Sequence, residues 1–336
     1  MTEQNIPLLE VEDLAVEFAT PDGVVRAVDG LSYSVTAGRT LAIVGESGSG
    51  KSVSSLAVMG LLQIPPARIV RGAIRFKGED LLTLSPKEHR AVCGTHIAMV
   101  FQDALTALNP VHTVGWQLTE ALRARRKMSR REAAARAVEL LDMVKVPNAK
   151  ERIKDYPHQF SGGMRQRVMI ASALAMDPEV LIADEPTTAL DVTVQAQIMT
   201  LLSEIQAERD MGLILITHDM GVVANVADDV TVMYAGRAVE QASVFDVFAS
   251  AAHPYTRALL RSIPRLDQKG AGLEVIPGRP PDPTSVPAGC PFHPRCGYAE
   301  DVCRSDPPPP QHTLRYDRRS ACHFAERVVQ ERGGVR

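Results

Sequence analysis

Eight consecutive residues carry the strongest chemical signal in this sequence: Gly45-Glu46-Ser47-Gly48-Ser49-Gly50-Lys51-Ser52. Glycines at 45, 48 and 50 let successive backbone N–H groups turn inward on one anion. A helix opening at Lys51 would aim its positive end at the same charge. In such a pattern Lys51 neutralises the outer phosphates of a nucleotide and Ser52 offers its hydroxyl to Mg²⁺. A second element, Val180-Leu181-Ile182-Ala183-Asp184-Glu185, reads as an apolar strand ending in two carboxylates. Asp184 suits Mg²⁺ held through water, and Glu185 suits polarising an attacking water. Together the two predict a nucleotide hydrolase. A third element sets Ser161, Gly162 and Gly163 immediately before a helical run, a second anion-binding helix start. One phosphate site does not need two, so the expected arrangement is a head-to-tail pair of domains, each closing its Ser-Gly-Gly turn on the partner's ATP.

Local pattern predicts the elements that would position these groups. Leu41–Val44 is a short apolar run entering the glycine loop, and residues 52–62 have helical character up to Pro65-Pro66. Leu8–Phe18 and Gly30–Thr36 alternate like half-exposed strands, whereas Val180–Ala183, Leu213–Thr217 and Val230–Tyr234 read as buried parallel strands. Two helices are expected at 114–125 and 129–145, the second opening with Ser129 three residues before Glu132, as in a capping box. No internal repeat is apparent.

Composition bounds the function classes. The 336 residues, 45% hydrophobic and 23% charged, suffice for a large core and exclude disorder. A net charge of −3 argues against holding nucleic acid by bulk charge. The longest uncharged stretches, 52–67 and 104–119, contain Pro, Gln or Asn and make poor membrane spans, and the acidic N-terminus does not read as a secretory signal, so a cytoplasmic protein is expected. The basic run Arg123, Arg125, Arg126, Lys127, Arg130, Arg131 fits either a solvated helical surface or an anionic partner.

In their order along the chain these motifs resemble the ATP-binding subunits of ABC transporters, and the resemblance covers nearly the whole chain. It implies an α/β fold: a P-loop NTPase, ABC-type nucleotide-binding domain over 1–260 with a helical insertion at about 103–165, then a loop-rich C-terminal extension over 261–336. It further implies that Gln102 in Met99-Val100-Phe101-Gln102-Asp103 senses the γ-phosphate, its water and Mg²⁺. Asp191 in Ala189-Leu190-Asp191 belongs to the D-loop, His218 holds the γ-phosphate, and Phe18 stacks on adenine. Phe160 to Met164 matches the signature, with Phe and Met where the commonest form has Leu and Gln. Within the family, His158 to Arg167, His253-Pro254-Tyr255-Thr256 and Gly289 to Cys296 look like the dipeptide/oligopeptide importer group. That group implies peptide uptake, with nickel as an alternative cargo, a second ATPase subunit in a heterodimer, two membrane permease subunits, an extracytoplasmic binding protein, and a peripheral position on the cytoplasmic face of the membrane. A non-transport relative acting in DNA repair or translation is the competing class. It commonly shows paired ATPase domains, a coiled coil or zinc modules, none of which is visible here.

The last 76 residues hold 12 of the 23 prolines and four of the five cysteines. Cys290, Cys296, Cys303 and Cys322 are separated by five, six and 18 residues, spacings that match neither a zinc knuckle nor a ferredoxin pattern directly. Four thiols in a proline-stiffened segment of a cytoplasmic protein still argue for a shared metal, with unligated thiols as the alternative. The resemblance implies a [4Fe-4S] cluster there, with zinc as second choice. Cys93, far off in sequence, reads as a small buried residue.

Overall fold

The computed structural model describes residues 6–188, 190–263, 275–305, 307–314 and 318–331. Ala189 of the expected D-loop and parts of the 261–336 segment lie outside the described residues. The chain groups into two compact units. The loop unit comprises Leu9–Val35, Thr40–Leu82 and Ile216–Arg336; the helical unit is built chiefly from Thr83–Leu215 with Thr36–Arg39.

In the loop unit, β1 (Leu9–Thr20), β2 (Gly23–Val35), β4 (Ala67–Phe76) and β5 (Glu79–Asp80) form an antiparallel sheet in the order β2-β1-β4-β5. Between β2 and β4 lie β3 (Thr40–Val44), buried along its whole length, and α1 (Lys51–Val58). α1 stops well before the proline pair. Gly60 takes a left-handed φ of 64°, and its N–H donates to Ala57 O at 3.1 Å while the Leu61 N–H donates to Leu56 O at 2.9 Å. This is a Schellman stop, which satisfies the last carbonyls of the helix without any proline.

The helical unit follows in the chain: α2 (Pro86–Cys93), β6 (Ile97–Val100), α3 (Ala104–Ala107), α4 (Val114–Arg126), α5 (Arg130–Met143), α6 (Ala149–Arg152), α7 (Gly162–Leu174), β7 (Val180–Asp184) and α8 (Val192–Arg209). The chain leaves it along β8 (Gly212–Thr217). Strand order here is β8-β7-β6, with β6 and β7 parallel and β7 and β8 buried throughout. The Ser129 capping box forms as expected, the Glu132 N–H donating to Ser129 Oγ at 3.3 Å and the Ser129 N–H to Glu132 Oε2 at 2.9 Å.

Back in the loop unit come α9 (Met220–Val226), β9 (Asp229–Tyr234), β10 (Arg237–Ser243), α10 (Val244–Ser250), α11 (Pro254–Arg261), β11 (His312–Thr313), β12 (Arg319–Ser320) and α12 (Ala325–Gln330). Strand order is β11-β12-β10-β9-β3, with β3 and β9 parallel. One core cluster gathers Val44 of β3, Val232 and Tyr234 of β9, Met220 and Val223 of α9, Tyr255 of α11 and, from the extension, Phe292. Ile276, Cys290 and Cys296 pack against it. The cysteine-bearing extension therefore shares its core with the strand that feeds the phosphate loop.

Candidate active site

β3 delivers the chain into the glycine loop. A Cβ on Gly45 would lie 2.3 Å from Met233 O, and one on Gly50 2.3 Å from Ala27 O, so these two positions exclude any side chain. Gly50, with φ 98°, is also the N-cap of α1 and contributes no side-chain cap, which leaves the first-turn N–H groups facing the loop without a side-chain acceptor at the cap. Lys51 is 5% exposed, and its ammonium donates to Gly45 O at 2.8 Å and Glu46 O at 2.9 Å. A buried ammonium among carbonyls, next to an open helix start, fits a polyphosphate with its cation. Ser47 and Gly48 lie on the same loop, and Ser52 is the second residue of α1. Phe18, half-buried near the end of β1 opposite Val25 and Ala67, belongs to this unit as well.

His218 follows β8 and is exposed. The backbone around it is fixed: the Asp219 N–H donates to Thr217 Oγ1 at 3.0 Å, and Asp219 caps α9 by accepting from the Gly221 N–H at 2.8 Å and the Val222 N–H at 3.3 Å.

In the helical unit Asp184 ends β7 at 5% exposure. Glu185 leaves the strand with a left-handed φ of 44°, a conformation costing a non-glycine residue about 1 kcal/mol or more. One of its carboxylate oxygens accepts from both Gln102 Nε2 and Thr188 Oγ1, each at 2.9 Å. Two of the expected catalytic residues are thus in direct contact across 83 positions of sequence. Thr188 carried no signal in the sequence beyond following the carboxylates.

Ser161 caps α7, accepting from the Met164 N–H at 3.4 Å. Gly163 is closed to side chains because a Cβ would lie 2.5 Å from Val194 Cγ1, and Gly162 approaches Leu190. Asp191 caps α8 through the Val194 N–H at 3.0 Å. The Ser-Gly-Gly turn and the Asp191 turn are therefore packed on one another. Phe160, 3% exposed and lying under the Arg152 guanidinium at 5.5 Å, occupies a buried aromatic position in the signature.

The cysteines require a correction. Cys290, Cys296, Cys303 and Cys322 do line one small cavity of about 10 Å³, together with Phe292, Tyr298 and Phe324. Among the described residues, however, no group of three or more His, Cys, Asp or Glu side chains is arranged to hold a metal ion. The expected [4Fe-4S] cluster, and zinc as its substitute, therefore do not fit. A space of that size is at the lower limit for a single water. Burial pushes the Cys296 thiol up to about 11 and the Cys322 thiol up to about 12, and raises that of Cys290. These groups are neutral thiols packed as small apolar side chains. The Tyr298 and Phe324 N–H groups donate to Cys296 and Cys322 sulfur at 3.3 and 3.4 Å. Cys93 is buried, as expected.

Two family models match the chain: ABC transporter over residues 28–188, and oligopeptide/dipeptide transporter, C-terminal region, over residues 239–303. The oligopeptide transport ATP-binding protein OppD of Salmonella typhimurium is 54% identical over 301 residues, covering 90% of this chain and 89% of that protein. The chain belongs to the ATP-binding subunits of ABC transporters. The dipeptide transport ATP-binding protein DppD of Bacillus subtilis is 54% identical over 310 residues, 92% of each chain. Among solved structures, the ATP-binding cassette MJ0796 bound to ADP and Pi superposes with a TM-score of 0.63 at 26% identity, covering 70% of this chain and 98% of that one. The cassette cbiO1 from Clostridium perfringens gives 0.62 at 31% identity, over 72% and 91%. The fold is thus that of an ABC-type P-loop NTPase. Among the described residues no helix is long and apolar enough to cross a membrane.

Proposed function

We propose that this chain is the ATP-hydrolysing subunit of an importer that carries di- or oligopeptides across the cytoplasmic membrane, acting at its cytoplasmic face. The observation that carries this reading is the likeness to peptide-transport ATP-binding proteins over 90% or more of the chain, extension included. Lys51 and the loop N–H groups from Gly45 to Ser52 take the phosphates, and Phe18 takes the adenine. Ser52, Asp184 and Gln102 would hold Mg²⁺, which when bound would supply positive charge to the phosphate oxygens. Glu185, oriented by Gln102 and Thr188, accepts the proton of the attacking water, and His218 donates to the γ-phosphate. Ser161, Gly162, Gly163 and Asp191 meet the nucleotide of a second ATPase subunit, a related chain in a heterodimer. Two permease subunits and an extracytoplasmic peptide-binding protein complete the assembly and select the cargo.

The test has two arms. Glu185→Gln should lower ATP hydrolysis by about 10²–10³-fold while leaving nucleotide binding intact. Cells lacking the chain should lose uptake of labelled di- or oligopeptides and retain nickel uptake. Full hydrolysis by the variant removes Glu185 from its role, and lost nickel uptake with normal peptide uptake overturns the cargo.

A further inference from the structure

Glu46 is one of the four residues of the phosphate loop that the motif leaves unspecified, and all of its polar groups are engaged. Its N–H donates to Tyr255 Oη at 2.9 Å. Its carbonyl accepts from Lys51 Nζ at 2.9 Å and from the Ser49 N–H at 3.3 Å. Its carboxylate meets Arg295 with both oxygens, Oε2 at 2.6 Å from Nη1 and Oε1 at 3.0 Å from Nη2. The partners of the backbone carbonyl lie inside the loop, whereas Tyr255 and Arg295 come from α11 and the C-terminal extension.

Arg295 is itself held. Its side chain is 5% exposed, its Nε donates to Pro277 O at 2.8 Å, and Nη1 also reaches Tyr234 Oη at 3.3 Å. Its guanidinium lies over the Tyr234 ring at 5.9 Å, and Tyr234, Tyr255 and Phe292 pack on one another with ring centroids 4.7–5.3 Å apart. A bidentate, buried guanidinium has little freedom to lose and defines the plane of the carboxylate that it grips.

The loop spanning Gly45 to Ser52 is glycine- and serine-rich, and ordering such a segment is entropically costly. A loop already fixed from outside meets its ligand without that cost. We propose that Arg295, with Tyr255, is a positioning residue for ATP hydrolysis: the extension grips Glu46 and thereby fixes the phosphate loop and the resting place of Lys51. This rests on the ATPase reading above. It gives the extension a role at the nucleotide site that needs no metal.

The test uses the full-length chain, a fluorescent ATP analogue for binding and phosphate release for turnover. Arg295→Gln and Glu46→Gln should each lower kcat/KM about 10- to 100-fold, and the double variant should fall no further than the worse single, because both remove one clamp. Arg295→Lys keeps the charge without the fork and should not rescue. Tyr255→Phe keeps the ring packing and loses only the acceptor for the Glu46 N–H. It guards against Arg295 variants that fail to fold, and should weaken analogue binding several-fold with an unchanged melting temperature. Wild-type binding and turnover in Tyr255→Phe and Glu46→Gln overturns the inference, as does a double variant that loses the product of the two single effects. A wild-type chain that binds no nucleotide overturns the ATPase reading and the inference with it.

Discussion

Glu185 shows how much local constraint one side chain can carry. It is placed at the end of a buried strand, in a left-handed backbone conformation, with one oxygen held by two donors. The glycines of the phosphate loop are constrained in the opposite sense, by what must be absent. Gly50 and Gly48 both have positive φ, 98° and 79°, yet only Gly50 has a carbonyl oxygen 2.3 Å from where a Cβ would sit; at Gly48 nothing lies within 4 Å. Gly48→Ala should therefore cost about 1 kcal/mol of conformational strain alone. Gly50→Ala adds overpacking of about 1–3 kcal/mol. Denaturant unfolding of the two variants measures the difference, and equal losses would show that Ala27 moves aside freely.

At the scale of elements, α11 joins the extension to the sheet, and its N-terminus is unusual. His253 is the cap: it is 1% exposed, its Nδ1 accepts from the Tyr255 N–H at 3.1 Å, and its own N–H donates to Glu240 Oε2 at 2.9 Å. Burial pushes the His253 imidazole down to about 3. An unfolded histidine takes a proton near pH 6.5, so between there and pH 3 the unfolded chain binds one proton more than the native one. This contribution is complete above about pH 6.5 and is lost as the pH falls, at about 1.4 kcal/mol per pH unit. His253→Asn keeps a cap acceptor and removes the titration. Its unfolding free energy should fall less steeply between about pH 6 and pH 4, by close to one proton. Glu240, whose carboxyl is raised by its own burial, is common to both proteins and does not alter the comparison. Identical slopes would assign the acid sensitivity elsewhere.

For the molecule as a whole, the extension is part of a core and not a knob hung upon one. Glu240 on β10 is fully buried and accepts from the Ala252 and His253 N–H groups at 2.8 and 2.9 Å. Its counterion is Arg318, 9% exposed, 78 positions further along at 3.0 Å. Removing one partner of such a pair strands a buried charge. Arg318→Met should cost about 3–5 kcal/mol in denaturant unfolding, and adding Glu240→Gln should recover part of that loss. A cost below about 1 kcal/mol would mean that solvent reaches Glu240 once Arg318 is gone.

The sequence by itself determined the phosphate loop, the two carboxylates, the Ser-Gly-Gly turn, the buried strands and the Ser129 cap. Each of these is written in contiguous residues, where backbone geometry and side-chain period act over a few positions. It also carried the family, because those motifs keep a fixed order. The stop of α1 was legible in principle at Gly60, but the proline pair beyond it is the louder signal. Only the tertiary structure decided which side chains meet across long stretches of chain: Gln102 with Glu185 over 83 positions, and Glu46 with Arg295 over 249. It likewise decided that the four clustered cysteines line one small cavity, where no group among the described residues is arranged to hold a metal ion. Spacing shows that thiols are numerous, whereas the room between them depends on the residues from distant parts of the chain that pack around them.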